Sequence, residues 1–313
     1  MDLDKIKKEY EEKYEIYDKL EEEAEYILGE VLVKSKIKIH LVLSRIKEPD
    51  SFRDKVERKQ VKNPFKDITD IVGLRVICLF RSDIERIVNL IKKSFKVTSI
   101  DNKLEGDDSY FGYMAVHLVA EIKASNRGKR YDDIKKLPFE IQVTTLAMNS
   151  WSTISHYLDY KQEIDIPKEL RRDFTALSAL FYVADTQFEQ LNKLRQKSRK
   201  SVTEAFKKRK PNLDQAINLD NLTAFLHKKF PKRSHTHSLY SMLLKDLKNA
   251  GINSLREIEE MYNKASDDLY KYEKSHPPDP GRIYSDVGAI RIILELCGIK
   301  LSIPVRLVGL DKN

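Results

Sequence analysis

The hydrophobic pattern of the chain changes period near residue 70, and this change constrains the fold more than any other feature. Residues 70–80 read DIVGLRVICLF, a run rich in β-branched residues that is typical of a buried strand. Residues 82–95 return to helical spacing, with Ser82 as the predicted N-cap. Further strands are predicted at 96–101, 114–122 and 137–145. A strand and a helix followed by closely spaced strands predict a mixed sheet with helices on its faces.

Helical patterns flank this region. Residues 4–33 have apolar side chains at three- and four-residue spacing, and the pattern is helical again from residue 146 to about residue 198. Between the first helix and the sheet, residues 35–60 are polar and charged and are interrupted by Pro49. The mixed sheet and these helices together predict an α+β domain over residues 1–200.

The rest of the chain has a different character. Residues 214–298 read as four or five short helices, one of which ends at Gly251 as a C-cap. Ahead of them, nine basic residues and one acidic residue lie between Lys193 and Pro211, a run that is typical of a solvated linker or of an RNA contact. The sequence therefore predicts a second, all-helical domain over residues 201–313.

Composition narrows the classes of protein. A chain of 313 residues with 41% apolar residues is long and apolar enough for two globular domains. Its net charge of +8 favours an anionic partner. Cys78 and Cys297 each lie in an apolar run, which indicates buried thiols in a reducing compartment. Because the N-terminus is highly charged and no apolar stretch reaches the roughly 20 residues of a membrane span, we expect a cytoplasmic protein without membrane contact.

Two acidic residues lie in predicted strands. Asp70 begins one strand and Glu140 lies within another. If the strands are neighbours, the two carboxylates meet at one end of the sheet, where a divalent cation such as Mg²⁺ would offset their repulsion. The alternative is that each acid faces solvent at the end of its strand. Arg75 in the first strand and the basic residues of segment 45–59 supply groups that suit phosphate recognition.

Two further segments carry polar and aromatic groups. SYFGYMAVH (109–117) places Tyr113 and His117 after Gly112, and EIQVTTLAMNSWSTISHYLDYK (140–161) places Gln142 beside Glu140. Tyrosine offers a ring for stacking on a base and histidine a donor for phosphate or ribose, although aromatic strands usually pack in a core. No phosphate-binding loop of the Walker type and no Gly-rich dinucleotide fingerprint is present in the sequence.

The order of these segments resembles the synthetase domain of the RelA/SpoT family, the (p)ppGpp synthetases, over about residues 38–162. The matching motifs are R-I-K…S-F…K…R-K, D-I-x-G-L-R-V, G-Y…H and E-I-Q-V-x-T…M…W…H…Y-K. The resemblance implies a nucleotidyltransferase-like α+β fold, a mixed β-sheet flanked by helices. It also implies an ATP-dependent pyrophosphokinase, which transfers the pyrophosphate of ATP to the ribose 3′-hydroxyl of GDP or GTP and releases AMP.

The resemblance assigns the matched residues to metal, donor and acceptor. Asp70 would hold Mg²⁺, and Glu140 would help to hold it or would accept the proton of the attacking hydroxyl. The implied ATP-binding residues are Arg45 and Arg75, which sandwich adenine, and Lys47, Lys55 and Lys59, which handle the phosphates. The implied acceptor-binding residues are Tyr113, which stacks on guanine, His117 and Gln142.

Two departures from the family pattern affect the acceptor. Thr144 stands where the family usually has arginine, and Met114 stands where arginine or glutamine is common. Alternative acceptors, the 3′ end of tRNA or an adenine nucleotide, therefore remain open, as does a degenerate module that senses nucleotides or binds RNA. With no His-Asp dipeptide and no hydrolase segment, the chain is expected to be a synthesis-only, small alarmone synthetase. Relatives of this size often form homo-oligomers.

Overall fold

A computed structural model describes residues 3–102, 115–158, 166–208, 210–299 and 301. Its strands are β1 (Ile39–Ile46), β2 (Val72–Cys78), β3 (Lys96–Asn102), β4 (Val116–Glu121) and β5 (Phe139–Thr145). Its helices are α1 (Leu3–Glu12), α2 (Tyr14–Ser35), α3 (Pro49–Lys59), α4 (Pro64–Asp67), α5 (Arg81–Ser94), α6 (Leu146–Tyr157), α7 (Lys168–Lys207), α8 (Leu219–Lys229), α9 (His237–Asn249), α10 (Leu255–Ser275) and α11 (Asp286–Leu296). Packing divides the chain into two compact units, and the boundary along the chain lies between Asn192 and Lys193 in α7.

The first unit is built around one sheet with the strand order β1-β2-β5-β4-β3. β2 and β5 run parallel, whereas every other neighbouring pair is antiparallel. α2 and α5 contact the sheet and each other. The core between them includes Leu20, Leu74, Ile87 and Ile141, all of them buried. The predicted mixed sheet with flanking helices is therefore confirmed.

β1 is a strand that the sequence pattern did not reveal. It pairs with β2 at the edge of the sheet, and Leu41, Leu43 and Arg45 are exposed. An edge strand that is open on its outer side does not need the continuous apolar run of a buried strand. The segment 35–60 is polar and charged as a whole, and this obscured the eight residues of regular strand that lie within it.

The N-terminal helix expected over residues 4–33 is divided into α1 and α2 at Lys13. Tyr10 stacks on Tyr17, with ring centroids 5.5 Å apart, and on Phe52 of α3, with centroids 4.7 Å apart. All three rings are buried. α1 is thus held against α3, the helix that carries Lys55.

The predicted N-cap of α5 is wrong. The helix begins at Arg81, so its N-cap is Phe80, whose side chain makes no cap hydrogen bond. Ser82 lies inside the first turn, where its backbone amide donates to Oε2 of Glu189 in α7 at 3.1 Å. The free backbone amide at this helix end is therefore satisfied by a carboxylate from a distant part of the first unit. The local sequence does not reveal such a contact.

The second unit consists of the end of α7 and helices α8 to α11 around its own core, which includes Leu222, Leu243, Ile258 and Ile293. Gly251 follows α9 with φ +75°, and the amide of Ile252 donates to the carbonyl of Leu247 at 2.9 Å. This is the glycine-dependent helix end that the sequence predicts. Across the described residues of both units, we find no helix with the length and apolarity of a bilayer span.

Candidate active site

The pairing of β1, β2, β5 and β4 brings the predicted polar residues onto one face of the sheet. Arg45 lies opposite Gly73, and Gly73 lies opposite Glu140. Two residues along β2, Arg75 lies opposite Gln142, which in turn lies opposite His117 of β4. Side chains at paired positions share a face of a sheet. The remaining face of β2 and β5, with Leu74 and Ile141, is buried in the core.

Gly73 leaves room at the centre of this arrangement. A Cβ added there would meet Cγ of Arg45 at 4.0 Å. The missing side chain therefore keeps the space between Arg45 and Glu140 open on the polar face.

Asp70 lies just before β2 and is paired with two lysines. Its Oδ2 accepts from Nζ of Lys55 in α3 at 2.5 Å and lies 3.1 Å from Nζ of Lys47, which directly follows β1. The amide of Lys47 donates to the carbonyl of Ile71 at 2.8 Å, and its carbonyl accepts from the hydroxyl of Tyr10. Lys47 is thereby fixed by backbone contacts on both sides, and the two cations converge on one carboxylate oxygen.

The other oxygen of Asp70, Oδ1, is buried and has no hydrogen-bond partner among the residues that the structure describes. A buried carboxylate oxygen without a partner costs free energy unless a donor or a cation reaches it. Asp70 therefore has the character expected of a ligand for a hard cation such as Mg²⁺.

Glu140 belongs to a chain of hydrogen bonds. Its Oε1 accepts from Nδ1 of His117 at 2.9 Å, and its Oε2 accepts from Nε2 of Gln142 at 2.7 Å. Oε1 of Gln142 accepts from Nε of Arg75 at 3.0 Å, and NH1 of Arg75 donates to Oδ1 of Asn149 in α6 at 3.1 Å. The chain fixes the direction of each of these side chains across four elements, β2, β4, β5 and α6.

Both acids remain ionised at neutral pH. Burial would raise the pKa of Asp70, but the hydrogen bond from Lys55 and the charges of Lys47 and Lys55 outweigh it and lower that pKa below the ordinary 3.8. Burial likewise opposes ionisation of Glu140, yet the hydrogen bond and charge of His117, with the bond from Gln142, lower its pKa below the ordinary 4.5. Burial lowers the pKa of Lys47, an effect that the Asp70 carboxylate only partly offsets.

Metal-binding capacity is concentrated at Asp70. Glu140 has both oxygens in hydrogen bonds, although each still has a lone pair for a further partner. Within the described ranges, no group of three or more His, Cys, Asp or Glu residues has the arrangement of a metal site. A divalent ion here would complete its shell with waters and substrate phosphates, as Mg²⁺ usually does.

Comparison with known proteins identifies the family. A family model described as a region found in RelA/SpoT proteins matches residues 44–165. GTP pyrophosphokinase YwaC of Bacillus subtilis is 30% identical over 148 residues, a match that spans 45% of this chain and 68% of that protein. The chain belongs to the RelA/SpoT family. GTP pyrophosphokinase YjbM of the same organism is 31% identical over 135 residues, spanning 42% of this chain and 62% of that protein.

Solved structures give the same fold. The crystal structure of small alarmone synthetase 1 from Bacillus subtilis superposes with a TM-score of 0.52 at 27% identity, covering 60% of this chain and 98% of that one. A structure of that synthetase bound to its product pppGpp gives a TM-score of 0.50 at 27% identity, with 59% and 97% covered. The RelA/SpoT resemblance read from the sequence motifs is confirmed, as is the α+β fold that it implied.

The predicted site residues of this RelA/SpoT chain fall into three groups. Those that the structure connects by ion pairs and hydrogen bonds are Lys47, Lys55 and Asp70, and separately Arg75, His117, Glu140 and Gln142. Arg45 lies on the same face of the sheet, and Lys59 lies exposed at the end of α3. Tyr113 and Met114 lie outside the described residues.

Asn149 is a site residue that sequence reasoning missed. It lies in the first turns of α6, the helix that follows β5, and its contact with Arg75 joins two segments 74 residues apart. Its position between Met148 and Trp151 in the last matched motif is the only signal, and an amide gives no chemical hint there. Thr144, which stands where the family usually has arginine, is fully buried at the end of β5.

Proposed function

We propose that the chain is an ATP-dependent pyrophosphokinase that transfers pyrophosphate from ATP to the ribose 3′-hydroxyl of GDP or GTP and makes (p)ppGpp. The observation that carries the proposal is Asp70, a carboxylate with two lysines on one oxygen and a buried second oxygen that has no partner within the described part of the chain. A group that binds both cationic side chains and a metal is what a polyphosphate substrate requires. Membership of the RelA/SpoT family, with GTP pyrophosphokinases as relatives, gives the same reaction class.

The donor side of the proposal uses the cationic residues near β1 and β2. Arg45 lies opposite Gly73, and Arg75 lies two residues further along β2 on the same face of the sheet. Their guanidinium groups are suited to stack on the adenine ring of ATP. Lys47 and Lys55 lie beside Asp70, where they would bind the phosphates of ATP. Lys59 follows Lys55 by one helical turn on α3. These side chains fix the donor and offset its negative charge.

Mg²⁺ is the proposed metal, with Asp70 as its main protein ligand and Glu140 as a second carboxylate nearby. When bound, the ion would neutralise phosphate charge and so favour attack at phosphorus. The pKa of Glu140 is lowered overall, mainly by His117, and the negative charge of Asp70 opposes this lowering slightly, as expected for two carboxylates that repel each other across the site. A cation between them would relieve that repulsion.

The acceptor side of the proposal uses β4 and β5. His117 and Gln142 hold Glu140 in one orientation through both carboxylate oxygens, which leaves the carboxylate ready to receive a hydrogen bond from the 3′-hydroxyl. Tyr113 is proposed to stack on the guanine ring, as the sequence motif implies. The ribose would thereby face the donor phosphates.

The transfer itself needs one bond to form and one to break. The 3′-oxygen of the acceptor attacks the β-phosphorus of ATP, and the bond from that phosphorus to the bridging oxygen of the α-phosphate breaks. AMP departs with the bridging oxygen, and the hydroxyl proton passes to Glu140. Because Glu140 has a lowered pKa, it acts late, when the developing bond has made that proton acidic. Lys47 and Lys55 stabilise the charge that develops on the phosphate oxygens.

The proposal is tested by incubating the full chain with ATP labelled in its β-phosphate and with GDP, GTP or bulk tRNA. We expect label in a guanosine nucleotide and release of AMP. Asp70→Asn should reduce turnover by about 100-fold or more, since it removes several kcal/mol of metal-dependent stabilisation. The matched control Asp54→Asn, whose side chain is 67% exposed on α3, should keep turnover within about twofold.

Three outcomes would overturn the proposal. Label only in RNA would assign the acceptor to tRNA, and label only in an added adenine nucleotide would assign it to that class. A biological effect that survives Asp70→Asn, together with no AMP release for any acceptor, would make the chain a nucleotide or RNA sensor.

A further inference from the structure

The second unit contains a cavity that the proposed reaction does not use. It has a volume of about 530 Å³, within the range of small-molecule sites, and lies between the end of α7, helix α8 and the start of α9. All of its lining residues come after Lys193, so the cavity belongs to the second unit alone. Its charges and rings indicate the ligand that it accepts.

Three cationic side chains contribute to the cavity wall. Arg199 and Lys207 come from α7 and Lys228 from α8, against one carboxylate, Asp220. Asp220 engages Arg199 through Nε at 3.3 Å. Lys207 and Lys228 add positive charge beyond the Arg199–Asp220 pair, and a phosphate at this wall would accept charge-assisted hydrogen bonds from them.

Part of the wall is flat and apolar. Phe206 and Ala224 contribute apolar surface, and Nζ of Lys228 lies 5.6 Å from the centroid of the Phe206 ring. The imidazoles of His227 and His237 also line the cavity, with centroids 5.3 Å apart. A site for an inorganic anion alone would not require the apolar and imidazole wall. A ligand with a ring attached to a phosphate would use both this wall and the cationic side chains.

A hydrogen-bonded cluster of His235, Asp286 and Tyr240 packs against the histidine rings. His227 packs on His235, with centroids 4.1 Å apart, and Nδ1 of His235 lies 2.7 Å from Oδ2 of Asp286. The same oxygen accepts from the hydroxyl of Tyr240 at 2.5 Å, and Asp286 is fully buried. The ring-lined wall is therefore a preorganised part of the unit.

We propose that this cavity is a second ligand site, which binds a small organic phosphate with a flat ring, nucleotides being the representative class. The phosphate lies among Arg199, Lys207 and Lys228, and the ring lies against Phe206 and the two imidazoles. A concavity of this size accommodates a single small ligand, whereas an RNA strand needs an extended cationic groove with stacking platforms along it.

The test follows the imidazole signals of the full chain, labelled with ¹³C in histidine, by NMR. The signals of His227 and His237 are assigned with the variants His227→Gln and His237→Gln. We expect ATP, added without an acceptor, to shift both signals and to saturate. Adenosine and inorganic phosphate should each require at least about tenfold higher concentrations, because each makes only part of the contacts.

Matched lysine variants locate the phosphate. Lys207→Gln with Lys228→Gln should weaken the ATP-dependent shift by about tenfold or more, while Lys245→Gln on the exposed side of α9 should leave it unchanged. The signal of His117 reports separately on the first unit. A shift of His227 with ATP alone would support this site. GDP added afterwards should shift His117, which lies on the acceptor side of the first unit, and an unchanged His117 signal would count against the proposed reaction, so failure of either proposal is recognisable.

Four results would overturn the second site. They are no ATP-dependent shift of His227 and His237, a shift that survives the double lysine variant, inorganic phosphate acting as strongly as ATP, and a single-stranded RNA acting at lower concentration than ATP.

Discussion

The two lysines on Asp70 make a quantitative prediction about stability. In Asp70→Asn, Lys47 and Lys55 lose their shared counter-charge, although both nitrogens lie within 3.1 Å of one oxygen in the parent protein. The two lysine Nζ atoms are therefore about 6 Å apart or less. At an effective dielectric constant of 20, two unit charges at that distance repel by about 3 kcal/mol. Their side chains are 11% and 20% exposed, so solvent screens only part of this repulsion.

We therefore expect Asp70→Asn to lower the free energy of unfolding of the first unit by about 2–4 kcal/mol at pH 7. The second substitution Lys55→Gln removes the repulsion, so the double variant should be more stable than Asp70→Asn by about 2 kcal/mol. Because Asp70 has a lowered pKa in the folded protein, its stabilisation is present above the ordinary carboxylate pKa of 3.8 and is lost as the pH falls below it.

The assay is urea unfolding followed by tryptophan fluorescence. Trp151 is the single tryptophan of the sequence, and it is buried in the first unit beside Phe174, so its emission reports on that unit. With a urea dependence of about 2 kcal/mol per molar, the midpoint of Asp70→Asn should fall by about 1–2 M. Asp54→Asn, with its exposed side chain, should change the midpoint by less than about 0.3 M. An unchanged midpoint in Asp70→Asn, or a double variant no more stable than the single one, would refute the reasoning.

Other variants test the remaining contacts. Asp185 in α7 is buried, and burial, with a smaller effect of Glu189, raises its pKa to about 6. Because the folded state favours the protonated carboxyl, the free energy of unfolding should fall as the pH rises from about 4 to 6. Asp185→Asn should abolish this fall and raise the free energy of unfolding by about 1–3 kcal/mol at pH 7 in the same urea assay. A wild-type protein with a flat profile there contradicts this. Asn149→Ala releases one end of Arg75 and should raise the KM for ATP about tenfold with kcat nearly unchanged, as steady-state kinetics would show; an equal fall in kcat would count against a positioning role. Lys197→Gln with Lys200→Gln, on the exposed end of α7, should leave turnover with GDP within about twofold, and a larger loss would implicate this basic run in the reaction with GDP.

How accurately each strand was predicted from the sequence depended on its position in the sheet. β2 and β5 were predicted within two residues at each end because one face of each strand is buried in the core and their apolar residues there are largely β-branched. β1 was missed because it lies at an open edge. Strand order is not written in local pattern, so the parallel pairing of β2 with β5, which sets Glu140 beside Gly73, appeared only in the structure.

The candidate site was foreseen in its residue types more than in its contacts. The motifs named Asp70, Glu140 and the nearby cations. They did not indicate that Lys47 and Lys55 share one oxygen of Asp70, or that Asn149 completes the chain from Glu140 to Arg75. Such contacts depend on how α3 and α6 pack on the sheet, and long-range packing leaves no signal in the neighbouring residues.

The most direct test of the proposed reaction is the product balance measured by ³¹P NMR. ATP and GDP are incubated with the full chain and Mg²⁺. We expect AMP and guanosine 5′,3′-bisdiphosphate in equal amounts, with the new resonances coupled as a diphosphate on the 3′-oxygen. Formation of ADP, which would mean transfer of a single phosphate, or release of free pyrophosphate with GDP unchanged, would contradict it.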